Sequence, residues 1–139
     1  MESYATLRIL SRQHTDDKKL CEHILQSIQQ NQDKKTIQST ILNFWEYNLK
    51  KHVDREESVI LPFLIKNRFN FEYVNILKRE HETLRLLAQR LPMHDNGYTL
   101  YKVFIDLAEQ HTDFEDKVII RKMQENYSEQ DLKYLDSQL

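Results

Sequence analysis

The sequence has one glycine and two prolines. A chain of many strands needs turn residues at short intervals, so this scarcity argues against a sandwich or barrel and favours long helices. Its single cysteine, Cys21, cannot form an internal disulfide, which fits a reducing cytoplasm. No apolar run approaches the length of a membrane span. The stretch MESYATLRIL lacks the basic region and apolar core of an export signal. Charge of one sign is missing too: 20 Lys and Arg against 22 Asp and Glu leave a net charge of −2. Nothing in that balance suggests a nucleic-acid groove or a membrane-binding patch.

What is present is a globular composition, 40% hydrophobic and 30% charged over 139 residues, read as one domain spanning 1–139. Apolar residues recur at helical spacing in four blocks. The first runs from about Thr6 to Gln30, with the stripe Leu7, Leu10, His14, Asp17, Cys21, Ile24 and Ile28. The second runs from about Lys34 to Asn67 through Ile37, Ile41, Phe44, Trp45, Asn48, His52, Glu56, Val59 and Phe63. Pro62 is expected to bend or thin its last turns, because it donates no backbone hydrogen bond. The third block, about Phe71 to Leu91, carries Val74, Leu77, His81, Leu84, Ala88 and Leu91. The fourth, about Tyr98 to Asn126, carries Leu100, Phe104, Leu107, His111, Phe114, Glu115 and Val118. LPMHDNG is the clearest loop, and His94 falls in it. A short fifth helix begins after Ser128, a good N-cap, and closes one end of the bundle or packs along its side. Short connections between long helices predict an all-α fold, an up-down-up-down four-helix bundle with this fifth helix at its C-terminus.

Histidine interrupts every stripe: His14, His52, His81 and His111. In KKHVDREESVILPF and EQHTDFEDKVII a glutamate follows one turn later, Glu56 after His52 and Glu115 after His111. Residues at i and i+4 share one helix face, so both pairs point inward. Chance at this composition gives about 0.5 such pairs, so the spacing is weak evidence and the stripe placement is the stronger part. His23 is an internal control: it lies about 180° round the helix from His14, and the stripe selects His14. Buried imidazoles and carboxylates are costly without partners, and binding metal supplies them.

Imidazole and carboxylate without thiolate suit iron, manganese or zinc rather than copper(I) or an iron–sulfur cluster. Each glutamate can bridge two cations, giving each metal two imidazoles and one oxygen from each bridge. A shared oxo, hydroxo or water ligand would raise the count to five. Four-coordinate structural zinc does not use so many ligands. Two iron ions are the expected cofactor, with manganese or a mixed pair as alternatives.

These residues resemble the hemerythrin-like HHE cation-binding family over nearly the whole chain, from LSRQHTDDKKLC to EQHTDFEDKVIIRKM. The family pattern is a histidine on the first helix, His-x-x-x-Glu on the second, Glu-His on the third and His-x-x-x-Glu on the fourth. Here the resemblance implies His14, then His52 with Glu56, then His81 within REHETLR, then His111 with Glu115. Oxygen-carrying hemerythrins have a second histidine four residues from the first on the third helix. Leu77 and Arg85 stand at those positions here, which implies exchangeable positions on both metals. The chain thus also resembles HHE proteins linked to iron–sulfur cluster repair and nitrosative stress, although it shows no added cysteine-containing N-terminal region.

Asp17 is read as a salt-bridge partner, to Arg85 or Lys18, in preference to an added metal ligand, or as an acceptor for an imidazole N–H. Asn48 is either a hydrogen-bond partner of the site or a polar core residue. Glu57 points about 100° away from Glu56 and is expected in solvent or at an interface, as are Glu80 and Glu82. Trp45, Phe104 and Phe114 are core and would line a dry pocket; Cys21 is an inert buried thiol. The expected function is a cytoplasmic non-haem di-iron protein that binds or reacts with a diatomic ligand, O2 or NO, or handles iron. The alternatives are a repair or detoxification enzyme using the same centre, and a metal-free helical interaction module.

Overall fold

In the computed structural model, which describes residues 7–93 and 97–139, each helix starts and stops where a side chain or turn meets its unpaired backbone groups. Helix α1 is Arg8–Gln29. It ends in a Schellman turn: Gln32 N–H bonds to Ser27 O and Asn31 N–H to Ile28 O, with Asn31 at φ 53°. Asp33 caps α2 through the Thr36 N–H. Helix α2 runs over 34–66 and ends in the same motif, with Arg68 at φ 56° and Phe69 N–H on Leu64 O. A chain with one glycine thus fills two left-handed caps with Asn and Arg. The buried Phe69 behind Arg68 offsets part of that cost. Asn70 caps α3, Phe71–Arg90, and α4 runs over 97–126. Ser128 accepts from Asp131 N–H and caps α5, Glu129–Gln138, as expected. The described residues are helical with no strand and form a helical bundle. Thr6 and His94 lie outside the described residues.

The core falls into two apolar clusters. One joins Cys21 and Ile24 of α1, Ile37 to Val53 of α2, Leu84 to Leu91 at the end of α3, and Tyr101 to Ala108 of α4. The other joins Leu7 and Leu10 with Ile60 to Leu64, Val74 and Leu77, and Ile119 to Met123. Leu132 and Leu135 of α5 are buried in this second cluster, so α5 closes that end. A layer of buried polar residues lies between the clusters on every long helix: His14 and Asp17, His52 and Glu56, His81, and His111, Thr112 and Glu115.

Helices α2 and α4 are not uniform. Trp45–Leu49, Glu56–Ile60 and Glu115–Ile120 are π-helical. Lys50 N–H reaches back to Trp45 O, and Leu61 N–H to Glu56 O. Each wide turn inserts a residue and rotates everything after it by about 100°. This corrects the uniform stripe. After the first turn Leu49 is buried and Asn48 only half-buried. After the second, Ile60 and Leu64 are buried in place of Val59 and Phe63. After the third, Ile119 replaces Val118. Helix α3 has no such turn, and Val74, Leu77, His81, Leu84, Ala88 and Leu91 are all buried as the period requires. The turn at Glu56–Ile60 stands just ahead of Pro62, whose ring would clash with the carbonyl four residues back in a regular helix.

Candidate metal centre

The site is built on four helices. His14 comes from α1, His52 and Glu56 from α2, His81 from α3, and His111 and Glu115 from α4; each is at most 3% exposed. His23 is exposed, as its place on the helix requires. Ligand atoms of His14, His52, Glu56 and Glu115 gather in one group within 4.8 Å of one another, and those of Glu56, His81, His111 and Glu115 in a second. The glutamates belong to both groups and divide their oxygens between them. Glu56 Oε2 lies 2.6 Å from His52 Nε2, and its Oε1 lies 2.9 Å from His81 Nε2 and 3.7 Å from His111 Nε2. Glu115 Oε1 lies 3.1 Å from His14 Nε2 and 3.3 Å from His52 Nε2, and its Oε2 lies 3.4 Å from His111 Nε2. Both glutamates open a π turn. That places them one helical turn past His52 and His111, while the wider turn beyond returns the chain to the apolar core.

Each imidazole is held from behind by a carboxylate. His52 Nδ1–H donates to Asp17 Oδ2 at 3.1 Å, His81 Nδ1–H to Glu57 Oε2 at 2.8 Å, and His111 Nδ1–H to Glu80 Oε1 at 2.8 Å. His14 Nδ1–H donates to Asp116 Oδ1. This partnership fixes the tautomer and raises the basicity of the opposite nitrogen. Glu57, Glu80 and Asp116 are the residues that sequence reasoning missed or placed in solvent. The available signal was adjacency, since each stands one position from a candidate ligand. Asp17 is buried on His52, not paired with Arg85 or Lys18. Arg85 instead pairs with Glu57 and Asp54, and Lys18 with Asp113 and Asp116. The partner of His52 Nδ1 is Asp17 rather than Asn48. Trp45 and Phe104 meet edge-to-face in the first apolar cluster, while Phe114 is half-buried against Tyr73 beside the second. Burial, with Glu109 and Asp17 adding to it, pushes the Cys21 thiol far above its ordinary range, so it is inert.

With Nδ1 turned to a carboxylate, each ring points its Nε2 inward, four of them in one layer. Two buried atoms of that layer, His111 Nε2 and Glu115 Oε1, have no hydrogen-bond partner. Protons respond to the same demand. Burial alone would lower the His52 pKa, but Glu56, Asp17 and Glu115 outweigh it and raise it well above 6.5. Burial is likewise outweighed at His111, by Glu115, Glu56 and Glu80, which raise it to about 10. Glu56 resists its own burial because His52 and the neighbouring donors hold its carboxylate well below the usual range. Burial pushes Asp116 up to about 7, and the charge of Lys117 offsets part of this. A metal cation fits the same demand. The 3.1 Å between His14 Nε2 and His52 Nε2 suits two adjacent ligands at about 2.1 Å from one ion.

A family model described as the hemerythrin HHE cation binding domain matches residues 5–123. The chain belongs to this family. No curated protein and no solved structure matches it. The buried His and Glu cluster of this HHE domain is what a cation-binding domain needs, and all of it falls within the matched residues. Leu77 is buried in the second apolar cluster, and Arg85 is turned to Glu57 and Asp54, so neither adds to the two groups of ligand atoms.

Proposed function

We propose that His14, His52, Glu56, His81, His111 and Glu115 hold two iron ions, and that the protein uses them to bind or react with a small diatomic ligand such as O2 or NO, or to handle iron. The observation that carries this reading is the division of the glutamate oxygens. Glu56 offers Oε2 toward His52 and Oε1 toward His81, so one carboxylate serves both imidazole pairs. Nitrogen and oxygen donors without thiolate favour iron, with manganese or zinc the lesser alternatives. Iron held by these residues would supply a redox-active Lewis acid. The chain's own residues set its surroundings. Asp17, Asp116, Glu57 and Glu80 orient the rings, and the two apolar clusters keep water from either side of the layer.

Leu77 and Arg85, where carriers have a ligand, favour reactive iron over simple oxygen carriage. That keeps repair or detoxification as a second reading. The clusters also support an up-down-up-down bundle in one domain over 1–139. Each combines the C-terminal half of α1 or α3 with the N-terminal half of α2 or α4, or the reverse. No helix among the described residues is long and apolar enough to cross a membrane. The lone buried Cys21 supports a cytoplasmic setting.

The test is the metal content and optical spectrum of protein loaded with ferrous iron without air and then exposed to it. Near two irons per chain with new near-ultraviolet and visible bands supports the reading. Bands that reverse on deoxygenation favour binding, and irreversible oxidation with peroxide turnover or iron release favours repair or detoxification. A colourless chain that takes up no iron overturns the proposal and leaves a helical interaction module.

A further inference from the structure

The four imidazoles differ in what stands behind their carboxylates. For His81, Glu57 Oε2 accepts both the ring N–H and Arg85 Nη1–H at 3.0 Å, while Arg85 Nη2 reaches Glu57 Oε1 at 2.7 Å and Asp54 Oδ1 at 3.0 Å. This is a two-pronged guanidinium–carboxylate clamp, a geometry that fixes orientation as well as charge. For His14, Lys18 Nζ lies 2.7 Å from Asp116 Oδ2 and 3.2 Å from Asp113 Oδ1, while Asp116 Oδ1 takes the ring N–H. Behind His52 and His111, by contrast, no Lys or Arg pairs with Asp17 or Glu80 among the described residues. Each group of ligand atoms thus contains one imidazole braced by a cation and one that is not.

Resting on the two-metal reading above, we propose that Arg85 and Lys18 are positioning residues, each acting on one metal alone. Arg85 acts through Glu57 and His81, and Lys18 through Asp116 and His14. The physical reason is exposure. The Asp17 side chain is only 5% exposed, so burial itself holds it against His52. The Glu57 side chain is 33% exposed and that of Asp116 16%, so water competes for their oxygens and a neighbouring cation settles the competition. The carboxylate then keeps one oxygen on Nδ1–H, and Nε2 keeps its aim. Glu80, 20% exposed, has neither deep burial nor a cation. Its imidazole, His111, is the one whose Nε2 finds no hydrogen-bond partner. Arg85 and Lys18 sit on different helices, α3 and α1, and share no carboxylate. Arg85 also lines surface grooves of about 510 and 440 Å³ and belongs to neither apolar cluster, so it can be replaced without opening the core.

The experiment loads wild type, Arg85→Met, Arg85→Lys and Lys18→Met with ferrous iron without air, then follows release to a chromogenic chelator. In Arg85→Met one of two irons is expected to leave about ten-fold faster and the other at the wild-type rate. Lys18→Met does the same for the other iron. Arg85→Lys recovers only part of the loss, because it keeps the charge and loses the fork. A His14→Ala background, expected to hold one iron, assigns the phases: there Arg85→Met speeds release and Lys18→Met does not. Melting of the metal-free variants is measured alongside. A merely structural role speeds both irons together, in step with a lowered midpoint. Equal acceleration of both irons, or none, overturns the inference and leaves the two-metal reading standing. A wild-type chain that binds no iron overturns both.

Discussion

His14 and His52 stack with ring centroids 4.7 Å apart and planes 10° from parallel, their Nε2 atoms 3.1 Å apart. Each ring gives its other nitrogen to a buried or half-buried carboxylate, so two lone pairs meet in that gap unless a cation fills it. His52→Ala is therefore expected to lower bound iron from near two per chain toward one. Glu56→Ala, which removes a donor from both groups, is expected to lower it toward none. Metal analysis of the purified variants checks both. Unchanged metal content in both variants would make these histidines structural.

Asp17 tests the carboxylate behind the ring. Asp17→Asn keeps an oxygen for His52 Nδ1–H and loses the charge, whereas Asp17→Ala loses both. The expected cost is about ten-fold in metal affinity for Asn and approaching about a hundred-fold for Ala. Competition against a chelator of known affinity reads it. Equal affinities across the three chains would show that Asp17 only fills space.

The metal-free protein is expected to lose stability in alkali. His52 and His111 have pKa values raised above about 6.5 in the folded chain, His111 to about 10. A raised folded pKa contributes stability that is complete below the unfolded value, about 6.5, and is lost as pH climbs through the folded one. Glu56 runs the other way: its depressed pKa stabilises above about 4.5 and fails in acid. Urea midpoints of chelator-treated protein should therefore fall between pH 6.5 and 10, values set by the same two groups. In iron-loaded protein, where metal replaces those protons, the alkaline decline should be smaller. A flat midpoint in the metal-free chain would show that the protons are not held.

Phe104 is fully buried and meets Trp45 edge-to-face at 6.2 Å. Phe104→Ala should cost about 3–5 kcal/mol through lost burial and the cavity left behind. It should also shift the emission of Trp45, the only tryptophan. Tyr47, 65% exposed on the same helix, should cost less than about 0.5 kcal/mol on change to alanine. Comparable losses at both positions would contradict this packing.

Much of this was legible because period and chemistry coincide. His14, His52, His81 and His111 were visible as polar breaks in apolar stripes, and α3 matched its period at every position. Three things were hidden. The π turns were invisible because a constant angle per residue has no place for an inserted one, which put Asn48, Val59, Phe63 and Val118 at the centre of the buried face when they are half-buried at its margin. Glu57, Glu80 and Asp116 were missed because a single helical wheel assigns one direction to each residue. These carboxylates reach round a neighbouring helix to the outer nitrogen of a ring. Asp17 lay on the right stripe, but its partner His52 comes from another helix, a pairing that only assembly reveals.

The polar layer divides the interior into two dry compartments with an ionic floor between them. Tyr101 and Ile24 belong to one, Leu64 and Met123 to the other, and no residue is shared. A void opened in one compartment cannot be filled by side chains of the other. Energetic effects of substitutions across the floor should therefore add, while those within a compartment interact. The chain is in that sense two small cores riveted through a common plate, and either can be retuned for temperature without disturbing the chemistry at the rivet.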